Sequence, residues 1–184
     1  MRETADFQSA FDWLDRYDNN LKKGLEFEGT KTAFINALTS AIPALSDIYV
    51  DTKNNELNAL VSVTGRNPEY QSYEYMSDGF KSIICIVAEI AHRCIELNGF
   101  LKEEAINMTP GIVMIDELDL YLHPNWQKHI LYDLTMAFPN IQFIVTSHSP
   151  FIIQSVKSEN LITLDGNKNE KDPLYRSIEE IVID

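Results

Sequence analysis

Residues 111–124 read GIVMIDELDLYLHP, and they decide the fold. The five residues 111–115 form a short continuous apolar run, the pattern of a strand buried on both faces as in a parallel sheet. The run ends on Asp116 and Glu117. Two carboxylates are thereby expected at the carboxyl edge of the sheet, where ligands of open α/β sheets bind. Asp116 suits Mg²⁺, which keeps much of its water and takes one or two protein carboxylates beside phosphate oxygens. Glu117 points elsewhere and suits a general base acting on water. In isolation, the same residues fit an apolar strand that simply runs out into an acidic turn.

Two further stretches bear on that choice. Residues 142–153 read QFIVTSHSPFII, a second apolar strand (141–146) running into Thr146-Ser147-His148-Ser149-Pro150. Beside the first strand in a parallel sheet, this end would bring His148 near Asp116 and Glu117, where an imidazole can hydrogen-bond a phosphate or a water. A histidine after a strand is also commonly a capping or surface residue. Residues 75–82 read YMSDGFKS and open a long helix. Ser77 is placed to cap it, and Gly79 lets backbone come close to a ligand. The helix N-terminus would then face an anion, although an ordinary N-cap looks the same.

The rest of the chain alternates between helical and extended patterns. Apolar residues at helical spacing predict helices over 7–21, 32–42 (stopped by Pro43) and 80–97 (closed by Asn98-Gly99). Residues 47–51 and 57–63 predict two strands around a polar turn at 53–55. Residues 124–138 predict a helix with proline in its first turn, 149–156 a short helix and 161–164 a third strand. Helices alternating with apolar strands indicate an α/β fold with a mostly parallel sheet. The expected organisation is a helical and antiparallel annex over 1–74, then a lobe over 75–184.

Bulk properties remove several classes of function. With 184 residues the chain can bury about 70% of its unfolded surface and needs no staples. A formal net charge of −13 opposes binding to phosphate backbones, so direct nucleic-acid binding by this segment is not expected. The longest apolar run, 83–88, is far too short to span a bilayer, and the start of the chain lacks an apolar signal segment. Cys85 and Cys94 lack metal-ligand spacing and read as reduced core thiols. The expectation is a cytoplasmic protein with no membrane contact.

In this order, the stretches at 75–82, 111–124 and 142–153 resemble the signature loop, Walker B segment and His switch of ABC-type ATPases. The similarity is to the branch of chromosome-maintenance and double-strand-break-repair heads, overcoming-lysogenization-defect ATPases, and Septu-type and retron-associated defence ATPases. Leu122-His123-Pro124 and the TSHSP string at 146–150 carry the likeness to that branch; it covers 75 to about 164 well and extends more weakly to Phe11-Asp12-Trp13-Leu14. The resemblance implies the C-terminal part of a P-loop NTPase fold, with ATP and Mg²⁺ as cofactors. It also implies that Asp116 holds Mg²⁺, Glu117 polarises water and His148 contacts the γ-phosphate. Ser77, Asp78 and Gly79 would reach ATP on a second copy of the head, and 119–124 would stand where the D-loop crosses the dimer interface. Met76 replaces the family's leucine, a volume-conserving change, and Phe80 stands where a polar residue is common.

The larger departure is the G-x-x-x-x-G-K-[ST] turn that cradles phosphates between a strand and a helix. The nearest string runs from Gly24 through Gly29 to Lys31 and Thr32. Its lysine is one position late, it carries Glu26 and Glu28, and residues 18–23 before it are polar. It reads as a loop before a helix. The expectation is therefore a fragment, a truncated product or one half of a split pair. It would be inactive alone and need an N-terminal Walker A half.

The alternative is a noncatalytic dimerisation or interaction module that recruits an effector such as a nuclease; the retained Asp116, Glu117, His148 and Ser77 count against it. His123 and His129 lack a third ligand for zinc. His92 is expected to be structural or exposed, and Trp13 and Trp126 to be packing anchors.

Overall fold

The computed structural model describes residues 7–51, 53–54, 56–62 and 66–162. Helix α1 (Phe7–Lys22) turns Ala10, Trp13, Leu14 and Tyr17 inward, the spacing of one helical face. Helix α2 (Thr30–Ala41) follows a loop over 23–29, so the glycine-bearing string lies between two helices and has no strand before it. Gly29 starts α2 at φ 89°, and the Glu103 side chain occupies the space a Cβ would need there.

Strands β1 (Leu45–Asp51), β2 (Glu56–Val61) and β3 (Glu69–Ser72) form an antiparallel sheet in that order. β3 was not foreseen. It is four residues long and mostly exposed, with no apolar alternation to reveal it, and pairing to β2 alone defines it. The Tyr70 hydroxyl reaches across the sheet to Asp47 Oδ2 at 2.9 Å.

Helix α3 (Asp78–Asn98) is the central element. Ile84, Val87 and Ala91 are fully enclosed between α1, α2 and the elements that follow. It ends where expected but without a left-handed cap: Gly99 is right-handed and lies against the Phe27 ring. A 3₁₀ segment and the short helix α4 (Ala105–Met108) lead into β4 (Gly111–Ile115). Helices α5 (Pro124–Gln127) and α6 (Ile130–Ala137) replace the single helix expected over 124–138, because the backbone breaks at His129. Strand β5 (Ile141–Val145) then runs parallel to β4 in unbroken register, Gly111 opposite Ile141 and Ile115 opposite Val145. Helix α7 (Pro150–Gln154) follows. Of the strand expected over 161–164, residues 161 and 162 carry none, and the remainder lies outside the described residues.

One hydrophobic cluster unites α1, α2, α3, α6 and the inner face of both sheets. Trp13 is its aromatic anchor, with its ring 5.4 Å from Tyr17, 5.1 Å from Phe34 and 5.6 Å from His92.

The expectation that β4 and β5 are buried on both faces is corrected. Val113, Ile115, Phe143 and Val145 pack on the core. Ile112, Met114 and Ile144 on the opposite face are 65%, 77% and 46% exposed, because nothing among the described residues covers them. Beside β4 an open groove of about 340 Å³ is lined by Ile90, Cys94, Leu97 and Ile112.

Candidate active site

The parallel register puts the carboxyl ends of β4 and β5 side by side. The ladder continues one step beyond the strands: the Thr146 amide donates to the Ile115 carbonyl at 3.0 Å, and the Leu118 amide donates to the Thr146 carbonyl at 3.0 Å. Between these bonds lie Asp116 and Glu117, both exposed. The Thr146 hydroxyl donates to Asp116 Oδ1 at 2.5 Å and accepts from the Glu117 amide at 2.9 Å. Glu117 has φ 52°, in the left-handed region that residues with a Cβ seldom occupy. Its carboxylate makes no hydrogen bond among the described residues.

Buried Leu118 and Leu122 anchor the loop that follows, and Tyr121 between them is a second left-handed residue at φ 64°. The string after β5 ties this loop down. Asp119 Oδ1 accepts from the Ser147 hydroxyl at 2.5 Å and from the His148 amide at 3.3 Å. Gln127 Nε2 donates to the carbonyls of Asp119 (3.1 Å) and Leu122 (2.9 Å), while its Oε1 accepts from the Ser149 hydroxyl at 2.7 Å. Ser149 also caps α7 by accepting from the Phe151 amide. Three hydroxyl residues thus fasten the acidic loop, while the His148 side chain is exposed and makes no hydrogen bond among the described residues.

Ser77 caps α3, its Oγ accepting from the Phe80 amide at 3.4 Å. Ser77 and Asp78 are exposed. Gly79 lies directly against the Tyr121 carbonyl, where a Cβ has no room. Phe80 beside it packs on Trp126, with centroids 5.1 Å apart. Asp116, Glu117 and His148 therefore share one sheet rim, whereas Ser77, Asp78 and Gly79 join it only through the 119–122 loop. No hydrogen bond among the described residues links the two groups.

No cluster of three or more metal-ligating side chains occurs among the described residues. A cation at Asp116 would need most of its ligands from water or phosphate, and that donor set fits Mg²⁺ better than zinc or calcium. Sequence reasoning assigned no role to Thr146, Ser147, Ser149 or Gln127. A run of hydroxyl residues flanking a histidine, opposite an acidic strand end, was the available signal.

The family described as "AAA domain, putative AbiEii toxin, Type IV TA system" matches residues 2–154. The chain belongs to that family. It is 35% identical over 139 residues to the retron Ec83 probable ATPase of Escherichia coli, a match covering 74% of this chain and 24% of that protein. It is 33% identical over 139 residues to the Septu protein PtuA of Bacillus thuringiensis, covering 73% and 30% respectively. Over 86 residues it is 48% identical to the retron Vc95 probable ATPase of Vibrio cholerae, covering 47% of this chain and 16% of that protein. This AAA-family chain thus spans a third or less of these relatives. A solved Smc head bound to the C-winged helix domain of ScpA aligns with a TM-score of 0.49 at 15% identity, over 85% of this chain and 46% of that one. The family match and these relatives, named as retron probable ATPases and a Septu protein, agree in placing most of this chain in one AAA family. No helix among the described residues is long and apolar enough to cross a membrane.

Proposed function

We propose that this AAA-family chain is the catalytic-rim portion of a cytoplasmic ATP-hydrolysing head that works as a pair around ATP and Mg²⁺. The observation that carries the reading is the joint fixing of Asp116, Glu117 and the His148 loop at one sheet rim by Thr146 and Asp119. Mg²⁺ held by Asp116 would supply positive charge against phosphate oxygens. Glu117, whose carboxylate is uncommitted, takes a proton from the attacking water. His148 donates a hydrogen bond to the γ-phosphate. Ser77, Asp78 and Gly79 serve the nucleotide of a second copy, which accords with their separation from Asp116 within one chain.

The phosphate-gripping turn belongs in a Walker A half. Its seat is the uncovered Ile112, Met114 and Ile144 face together with the groove beside β4. An apolar face that ends at a carboxylate rim suits a partner element that must both pack and deliver phosphate. Without that half the chain turns over no ATP. The complete assembly gates an effector such as a nuclease, and the acidic charge of −13 keeps this segment off nucleic acid.

The test is Glu117→Gln in a complete head. ATP turnover is expected to fall about 10²–10⁴-fold while ATP binding is kept. Wild-type turnover in that variant would remove Glu117 from its role.

A further inference from the structure

We propose that Thr146 is a positioning residue for the acid pair, fixing the Asp116 carboxylate and the Glu117 backbone with one hydroxyl. This rests on the reading of Asp116 as the cation ligand. A threonine hydroxyl has one proton and two lone pairs. Here the proton goes to Asp116 Oδ1 at 2.5 Å and a lone pair takes the Glu117 amide at 2.9 Å, so the rotor is fully specified. The residue's own amide and carbonyl are held by Ile115 and Leu118, which leaves the side chain no freedom to drift. Thr146 stands on the uncovered face with Gln142 and Ile144, as Asp116 does with Ile112 and Met114, so the two meet as a cross-strand pair.

Two consequences follow from this geometry. First, Asp116 Oδ1 is committed, and Oδ2 makes no hydrogen bond among the described residues. The hydroxyl therefore fixes the carboxylate plane and presents one chosen oxygen to a cation. Second, Glu117 sits at φ 52°, a disfavoured conformation for a residue with a Cβ, and the hydroxyl accepts the amide that this turn directs back toward β5. One hydrogen-bonding group thus orients both acids.

The experiment compares the 184-residue chain with Thr146→Val, which keeps the shape and removes the hydroxyl, and Thr146→Ser, which keeps the hydroxyl. Amide exchange followed by NMR reads the clamp, and titration with Mn²⁺ alone, followed by line broadening at residues 116–118, reads the cation site. In Thr146→Val the Glu117 amide should exchange about five- to tenfold faster, as for loss of one hydrogen bond. The Leu118 amide, which bonds the Thr146 backbone instead, should be unchanged. The Mn²⁺ midpoint should rise severalfold, and Thr146→Ser should restore both readings. Equal Mn²⁺ midpoints in wild type and Thr146→Val would overturn the proposal. So would Glu117 and Leu118 losing protection together with no rescue by serine, the result expected of a purely structural residue. Absence of Mn²⁺ broadening in the wild type, with the exchange pattern as expected, would refute the cation role of Asp116 and reduce Thr146 to a staple.

Discussion

Gly79→Ala is the sharpest test of how the start of α3 and the 119–122 loop fit together. A Cβ built on Gly79 falls inside 3.0 Å of the Tyr121 carbonyl oxygen, 3.2 Å from its carbon and 3.7 Å from Leu122 Cα. All three are backbone atoms, and they cannot swing aside as the end of a flexible side chain can. Tyr121, at a left-handed φ, is held by buried Leu122 and by the Gln127 fork on the Asp119 and Leu122 carbonyls. The clash therefore belongs in the upper part of the overpacking range, about 2–3 kcal/mol. Alanine returns about 1 kcal/mol through its higher helix propensity. A net loss of about 1–2 kcal/mol remains, and at about 2–4 °C per kcal/mol for a domain of this size the Tm should fall by about 2–8 °C. Gly111→Ala is the matched control, since nothing lies within 4 Å of a Cβ there and the change should stay within about 0.5 kcal/mol. Thermal unfolding followed by circular dichroism reads both. If Gly79→Ala matches Gly111→Ala, the close approach of the two loops is wrong.

Two other outcomes follow from buried titratable groups. Burial lowers the His92 pKa below its ordinary 6.5, against the opposing pull of Glu96, Glu89 and Glu26 and with a small push from Arg93. Below about pH 6.5 the unfolded chain takes up a proton that the folded chain resists, so His92 costs stability as pH falls and costs nothing above that value. Urea midpoints measured between pH 7.5 and 5 should therefore fall more for the wild type than for His92→Phe; parallel profiles would show that the imidazole is not desolvated. Burial also pushes the Cys94 thiol up to about 11, so very little of it is thiolate near neutral pH. Iodoacetamide at pH 8 should leave Cys94 unmodified in the native chain and label it in urea, and rapid native labelling would contradict its burial beneath Thr109.

The parts of the fold that could be read from the sequence are those in which a period or a cap states one answer. α1 and α3 repeat apolar residues on one face, and β4 and β5 are apolar runs that end abruptly in polar strings. Ser77 before α3 and Pro124 at the head of α5 marked helix starts correctly, because each satisfies a fixed backbone requirement. β3 was invisible because an exposed edge strand is defined by a neighbour's hydrogen bonds and not by its own hydropathy. The break between α5 and α6 was hidden for a related reason. His129 is compatible with a helix by propensity. The chain departs from helical geometry there with Gln127, two residues earlier, engaged with the loop before α5 and with Ser149 after β5.

The candidate site divides along the same line. Asp116, Glu117 and His148 could be singled out as candidates because their stretches occur in the order of a known family's motifs; each alone also fits an acidic turn or a surface histidine. The fastening bonds of Thr146, Asp119 and Gln127 were not legible, since they reach residues up to 30 positions away. The error about burial is the instructive one. An apolar strand reports that both its faces are meant to be covered; it does not report what covers them. In β4 and β5 the inner face, Val113, Ile115, Phe143 and Val145, packs on the common core, and the outer face, Ile112, Met114 and Ile144, keeps the composition of a core while exposed. Unsupported exposure of that size on a parallel pair is costly, because such sheets are stable when both faces are packed. The same face ends at Asp116 and Thr146, so whatever covers it necessarily arrives beside the hydroxyl-clamped carboxylate. On the proposed reading, packing and chemistry at this rim become one requirement: a covering element that satisfied the first without bringing phosphate to the second would leave the clamp between Thr146, Asp116 and Glu117 with nothing to position.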